Sequence, residues 1–193
     1  MRHKDYPFVE KMSVRMQVKL WHCLIINSMR RIILIVGYAE ITGGELMFIE
    51  TNPKDMTYRD LIDLAFEICD EFILVVRSEI SKTDNMYNIL WELQYSLREV
   101  KEQFEWPGTI YGGEQPVLVY YYDTNNPAKE TLKRASNSLH DWVQPNLPED
   151  LSFIKNHVPW LINTSHECES YIETNDKEEI DRILKIKGLK IRL

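Results

Sequence analysis

The chain has few cysteines and lacks the short motifs of common nucleotide-binding and hydrolytic sites. Its three cysteines, Cys23, Cys69 and Cys168, cannot all pair and form no CxxC, which argues against a disulfide scaffold and favours a reducing compartment. The phosphate-binding patterns GxGxxG and GxxxxGK[ST] are absent, as are the GxSxG of serine hydrolases and the HExxH of zinc proteases. The absence of these motifs predicts no cofactor and no metal.

The sequence also lacks an uninterrupted apolar run of the roughly 20 residues that cross a bilayer. Residues 17–39 are apolar in bulk, but Arg30 and Arg31 interrupt them, and two arginines are costly at mid-membrane. The short apolar stretch near the N-terminus has no small-residue cleavage site after it, unlike a signal peptide. We therefore expect no membrane span and a cytoplasmic protein.

Charge is distributed unevenly along the 193 residues, whose net charge is −7. Residues 1–31 have seven basic and two acidic side chains, so the rest of the chain carries −12. A body this acidic repels phosphate backbones, which disfavours nucleic-acid binding by residues 56–193. The basic N-terminal segment is either a solvated arm or a contact for nucleic acid or anionic lipid.

Turn residues and apolar spacing divide the chain into a basic extension, residues 1–55, and a main domain, residues 56–193. The extension contains a predicted β-hairpin over residues 31–51, with its turn at Thr42-Gly43-Gly44. In the main domain, helices alternate with single strands before a meander and a closing helix. This order predicts an α+β fold, in which a mixed β-sheet with four helices packed on it follows the N-terminal hairpin.

Boundary signals and apolar periodicity place the elements of the main domain. Thr57 and Asp60 resemble a capping box at the start of the first helix, and residues 84–104 form the longest predicted helix. A third helix is predicted over residues 127–143, and Asn175 is the predicted cap of the last. Strands are predicted over residues 72–76, 117–122, 151–154, 159–162, 170–173 and 189–193, with a hairpin turn at Asn156-His157.

The densest cluster of ligand-type side chains is Ser165-His166-Glu167-Cys168-Glu169. On a strand, His166 and Cys168 share one face and Glu167 lies on the other, and two ligands do not make a metal site. We expect His166 to hydrogen-bond to a loop unless the fold brings it to Asp150, because a carboxylate orients and charges an imidazole. Asp150, His166 and Glu167 are therefore the candidate catalytic residues.

Aromatic residues are the candidates for binding a partner. Tyr120 and Tyr122 share one face of their predicted strand, and together with Trp106 and Trp160 they would form an interaction surface if exposed. If buried, the same side chains are core with polar tips.

Three stretches carry a resemblance to a known family: residues 69–77 (CDEFILVVR), residues 105–109 (EWPGT) and residues 141–153 (DWVQPNLPEDLSF), the last continued by Pro159-Trp160-Leu161 and His166-Glu167. Over roughly residues 57–175 the chain resembles small soluble proteins of Gram-positive bacteria labelled "stage III sporulation protein AH". The resemblance implies common ancestry and no settled biochemical activity. Within the shared pattern, His166 and Glu167 have the least evident structural role.

These observations favour a cytoplasmic, non-enzymatic accessory protein that binds another protein, as inhibitor, immunity and regulatory proteins do. Its acidic surface would suit a basic partner. One alternative is a small hydrolase or metal-dependent enzyme that uses Asp150, His166 and Glu167. Another is a regulator whose basic N-terminus contacts nucleic acid. An exposed aromatic patch favours the first interpretation, and His166 beside a carboxylate in a cleft favours the second.

Overall fold

The computed structural model describes residues 45–193, which form an eight-stranded sheet, a small two-stranded hairpin and four α-helices. The helices are α1 (Asp55–Ile68), α2 (Asp84–Glu92), α3 (Asn126–Ala135) and α4 (Lys177–Leu184). The strands are β1 (Glu45–Ile49), β2 (Glu71–Val76), β3 (Leu97–Gln103), β4 (Glu105–Trp106), β5 (Thr109–Ile110), β6 (Val117–Asp123), β7 (Glu149–Lys155), β8 (Val158–Thr164), β9 (Glu169–Thr174) and β10 (Ile191–Arg192).

The large sheet has the strand order β10-β1-β9-β8-β7-β2-β6-β3, and its neighbouring strands pair antiparallel. The predicted α+β class is confirmed, and so are its four helices over the described residues. The sheet is antiparallel rather than mixed. The reason is that each helix joins two strands that are not neighbours, so that no helical connection produces a parallel pair.

The four helices cover one face of this sheet. Phe72 and Leu74 of β2 point to that face and pack in a core to which every helix contributes. The alternate residues Ile73 and Val75 point to the opposite face, where Trp106 of the β4–β5 hairpin packs on them. The continuous apolar run of β2 follows from this burial on both faces, and its predicted strand is confirmed.

The second helix is shorter than the sequence predicts. α2 ends at Glu92, a 3-10 turn covers Leu93–Ser96, and the chain then forms β3, whereas a single helix was expected over residues 84–104. β3 pairs with β6 along its whole length and is an end strand of the sheet. Its charged side chains are typical of edge strands, and this long-range pairing overrides the local helical spacing.

Two predicted helix caps are wrong. Thr57 lies inside α1, where its hydroxyl donates to the carbonyl of Lys187 at 2.9 Å instead of capping the helix. Asp176, rather than Asn175, caps α4 and accepts hydrogen bonds from the first-turn amides of that helix. A carboxylate one residue later fits the cap better, because it meets both free amides.

The third helix is also shorter than predicted, since α3 ends at Ala135 and not near residue 143. The hydroxyl of Ser136 accepts from the amide of Ser138 at 3.0 Å and donates to its carbonyl at 2.8 Å. Such local side-chain bonds compete with helix continuation. Trp142 still lies in the core, where its Nε1 donates to the Tyr58 hydroxyl at 3.1 Å.

Two turns bring β8 to its neighbours. The predicted β7–β8 hairpin is confirmed, with Asn156 and His157 at φ of 50° and 68°, the left-handed values of a two-residue hairpin turn. Gly108 turns the β4–β5 hairpin at φ 79°, and a Cβ at this position would lie 2.7 Å from Ile162 on β8. The hairpin therefore approaches the sheet as closely as only glycine allows.

The N-terminal extension is described only at its end. Most of the predicted hairpin over residues 31–51, with its turn, lies outside the described residues, and so does the apolar stretch at residues 17–39. The second predicted strand corresponds to β1, which pairs with β9 and β10. Between residues 45 and 193, the structure contains no helix with the length and apolarity needed to span a membrane.

The buried carboxylate of Glu179 attaches α4 to the sheet. It accepts hydrogen bonds from Trp160 Nε1 at 2.9 Å and Thr174 Oγ1 at 2.6 Å, and from Lys155 Nζ. Burial alone raises the pKa of Glu179, but these hydrogen bonds outweigh burial and hold the pKa below its usual range. The ionised form therefore stabilises the fold.

We expect Glu179→Gln to lower the free energy of unfolding by about 2 kcal/mol at pH 7, because charge-assisted hydrogen bonds are lost. A lowered folded-state pKa gives stability that is present above the unfolded pKa and is lost as pH falls through the folded pKa. The difference from the native protein should therefore shrink below about pH 4.5 in urea unfolding. Glu178→Gln, at an exposed position, is the control, and a difference that persists unchanged at acid pH would contradict the assignment.

Candidate functional site

The fold brings the two ends of the β7–β8 hairpin together on one side of the sheet. Glu149 and Asp150 begin β7, and His166 lies in the 3-10 turn Ser165–Glu167 that follows β8. Because β7 and β8 are neighbours, this turn lies beside the start of β7. Trp106 reaches the same place from the β4–β5 hairpin.

Asp150 is the centre of this cluster. Its side chain is fully buried; Oδ2 accepts from Trp106 Nε1 at 2.9 Å and Oδ1 accepts from the backbone amide of Ser165 at 2.9 Å. The same Oδ1 lies 3.6 Å from Nδ1 of His166. The backbone of Asp150 has a φ of 57°, a left-handed conformation that aspartate tolerates better than most residues. The fold therefore meets the condition under which the sequence assigns His166 to Asp150.

Glu149 adds a second buried carboxylate that sequence analysis did not connect to His166. Its Oε1 accepts from Arg77 Nη2 at 2.6 Å. Burial lowers the pKa of Arg77, but the hydrogen bond and the charge of Glu149 raise this pKa by a larger amount. The net shift is upward, so the guanidinium stays charged. Glu149, Asp150 and His166 each offer one donor atom, and the three atoms lie within 4.8 Å of one another.

The third predicted catalytic residue, Glu167, lies on the other side of the imidazole. Its Oε1 is 3.9 Å from His166 Nε2, and its side chain is partly exposed. The adjacent Ser165 hydroxyl is buried and accepts from Asn163 Nδ2 at 2.7 Å. The Ser165 hydroxyl is therefore engaged in the fold. Cys168, which was expected to share a strand face with His166, instead ends the 3-10 turn in a left-handed conformation, and its thiol is free and exposed.

The cluster does not line the cavity at the far end of the β7–β8 hairpin. That cavity, of about 310 Å³, is lined by Lys155, Asn156, Val158, Pro159, Trp160, Glu173, Thr174 and Asn175. These residues lie at the opposite end of the β7–β8 hairpin from His166. His166 therefore lies beside a carboxylate, as the enzyme interpretation requires, but neither residue lines this cavity.

The predicted partner-binding aromatics are mostly core residues. Trp106, Tyr122 and Trp160 are buried, and Tyr120 is half-buried. Tyr122 stacks on Phe72 with ring centroids 4.9 Å apart, and the two indole nitrogens donate to buried carboxylates. For these three residues the buried alternative therefore holds, because their rings fill the core and the two indole nitrogens are paired within it.

A different aromatic set is exposed. Tyr87, Trp91 and Tyr95 have relative exposures of 56%, 70% and 90%. Their four-residue spacing along α2 and the following 3-10 turn places them on one side of this segment, which we call the α2 aromatic surface. The four-residue spacing of these aromatic residues is visible in the sequence. Periodicity alone, however, does not show which of the two apolar stripes of this helix faces the core.

Acidic side chains are common in the stretch of chain that contains the α2 aromatic surface. Asp84, Glu92, Glu99 and Glu102 are exposed in the same stretch of chain. Over residues 81–105 there are five acidic and three basic side chains. Glu92 pairs with Arg134 and Glu99 with Lys101, so the stretch has a modest excess of negative charge.

Comparisons of the chain with protein-family models, curated proteins and solved structures found no match. The resemblance to the sporulation-labelled proteins therefore stays a prediction.

Proposed function

We propose that this protein is a cytoplasmic accessory protein that binds a basic protein through the α2 aromatic surface. The exposure of Tyr87 and Trp91 one turn apart on α2, and of Tyr95 in the 3-10 turn that follows, carries this proposal. Tyrosine and tryptophan are enriched among the residues that dominate binding energy, and contiguous exposed apolar patches mark interaction sites. Helices also bind partners through residues at i, i+4 spacing, as these three are.

The charge of residues 45–193 supports a basic partner rather than the same acidic domain of a second copy. Residues 45–193 have a net charge of −11. Two such bodies repel each other, whereas a basic surface is attracted and steered toward the site. Arginine and lysine side chains also bind favourably over the face of tryptophan, which suits Trp91.

Photo-crosslinking in the source cells tests this proposal. With a photoreactive residue at position 95, we expect one dominant crosslinked protein of basic pI, obtained also from position 87. The same residue at position 184, where Leu184 is exposed on α4, is the matched control and should not yield that product. Equal yields at all three positions, or a crosslinked homodimer, would contradict a basic partner at this surface.

The partner identified by crosslinking can then be purified by itself, and the contribution of Trp91 to the free energy of binding can be measured. We expect Trp91→Ala to weaken binding at least about 30-fold, as removal of a central aromatic residue does in other interfaces. Because Trp91 is 70% exposed, the same change should leave the thermal midpoint nearly unchanged. Titration calorimetry measures the affinity of each variant for the partner, with Leu184→Ala as the control. An unchanged affinity for Trp91→Ala would contradict the proposal.

A second candidate function, metal-dependent hydrolysis, is favoured by the approach of His166 Nδ1 to Asp150 Oδ1 at 3.6 Å beside Glu149. It would need a bound cation, which would lower the pKa of a bound water and so supply the nucleophile. Hydrolysis of a phosphoester substrate that requires added Zn²⁺ and is lost in His166→Ala would support it. The nucleic-acid alternative depends on residues 1–31, which lie outside the described residues.

A further inference from the structure

We infer that Glu149, Asp150 and His166 form a binding site for a divalent transition-metal ion of the Zn²⁺ type. Each residue contributes one donor atom, and the three atoms are within 4.8 Å of one another. The inference is independent of the proposed partner surface, which lies on another part of the chain.

The spacing of the donors is close to what a single ion needs. Two ligands bound at roughly 2.0–2.1 Å with tetrahedral geometry are about 3.3 Å apart. His166 Nδ1 and Asp150 Oδ1 are 3.6 Å apart, so a small movement of the imidazole would bring both to one ion. The imidazole can move, because its side chain is one-third exposed while the two carboxylates are fixed in the interior.

Glu149 has a carboxylate oxygen that a cation could bind. The residue is 1% exposed, and its Oε2 is buried with no hydrogen-bond partner within the described part of the chain, as is the Nε of its ion-pair partner Arg77. A buried carboxylate oxygen without a donor is costly, because the lost hydration is not replaced. Since Arg77 Nη2 holds Oε1, Oε2 is the atom that a cation would bind, in competition with Arg77 Nε.

The charges of the cluster also leave a place for a cation. Arg77 balances one of the two buried carboxylates. Among residues 45–193, Asp150 receives hydrogen bonds from the neutral donors Trp106 Nε1 and Ser165 N alone, besides its contact with His166. Buried carboxylates are stable when paired with a positive charge or a metal. A divalent ion would balance Asp150 and bind the free oxygen of Glu149 together.

The donor types select the class of metal. One imidazole nitrogen with two carboxylate oxygens suits Zn²⁺ and similar first-row ions, whereas Mg²⁺ and Ca²⁺ prefer oxygen ligands alone. The partly exposed His166 leaves an access path and room for a water as a fourth ligand.

Metal titration of the full chain tests the inference. After chelator treatment and dialysis, the protein is titrated with Zn²⁺, and with Mg²⁺ in parallel. We expect one Zn²⁺ site whose affinity falls at least about 100-fold in His166→Ala, a larger loss than removal of an outer-shell partner causes. The control is His157→Ala, which removes an exposed histidine from the β7–β8 turn and should keep the site.

Comparison of variants separates this site from any other metal-binding residues, since those would persist in His166→Ala. On the native protein, Zn²⁺ should shift the imidazole nitrogen resonances of His166 and leave those of His157 unchanged. Equal Zn²⁺ affinity and stoichiometry in His166→Ala and the native chain would overturn the inference. Binding of Zn²⁺ no tighter than of Mg²⁺, or Zn²⁺ shifts confined to other histidines, would overturn it as well.

Discussion

Replacing Arg77 with alanine is expected to lower the free energy of unfolding by about 3–5 kcal/mol. Arg77 Nη2 donates to Glu149 Oε1 at 2.6 Å, and Glu149 is 1% exposed. The pair itself adds little net stability, because both groups lose hydration when the chain folds. Removing one partner is costly because it leaves the other charge buried and uncompensated.

Two comparisons isolate this effect. Arg134→Ala breaks the exposed ion pair of Arg134 with Glu92 and should cost less than about 1 kcal/mol. Adding Glu149→Gln to Arg77→Ala should restore part of the lost stability, since the unpaired charge is then gone. Urea unfolding of the four proteins measures both effects. If Arg77→Ala were no more harmful than Arg134→Ala, Glu149 would not be a buried, paired carboxylate.

The second large effect is expected at Asp150. Asp150→Ala should cost about 3–5 kcal/mol, because each of two buried donors, Trp106 Nε1 and Ser165 N, loses an acceptor worth about 1–3 kcal/mol. Alanine at a φ of 57° adds backbone strain of about 1 kcal/mol.

Asp150→Asn is the matched control for this prediction. Asparagine keeps the size, tolerates the left-handed backbone and retains one acceptor oxygen, so we expect about half of the loss seen with alanine. Unfolding followed by the fluorescence of Trp106 and the other tryptophans measures both variants. Equal stability of Asp150→Ala and the native protein would show that Asp150 does not hold the hairpin and turn together.

Elements whose conformation depends on neighbouring residues in the sequence could be predicted. The apolar run of β2 and the Asn156-His157 turn are strong short-range signals, and both are confirmed. β3 could not be predicted in this way, since its strand conformation depends on pairing with β6, about 20 residues further along the chain. The helix over residues 84–104 was the natural interpretation of its spacing without that pairing.

The candidate site was predictable only in part, for a similar reason. Asp150 and His166 were connected as a condition on the fold, and the β7–β8 hairpin met that condition. The contact of Arg77 with Glu149 depends on the register of β2 beside β7, which no local pattern contains. Whether the aromatic residues are exposed or buried stayed open, because burial depends on packing between elements and not on the residue type.

The most direct test of the proposed partner binding is hydrogen exchange of the full chain, with and without the basic protein that crosslinking identifies. Binding through the α2 aromatic surface predicts slower amide exchange over residues 84–96 and unchanged exchange in the β7–β8 hairpin. Unchanged exchange over residues 84–96, with slowing elsewhere in the chain, would contradict the account.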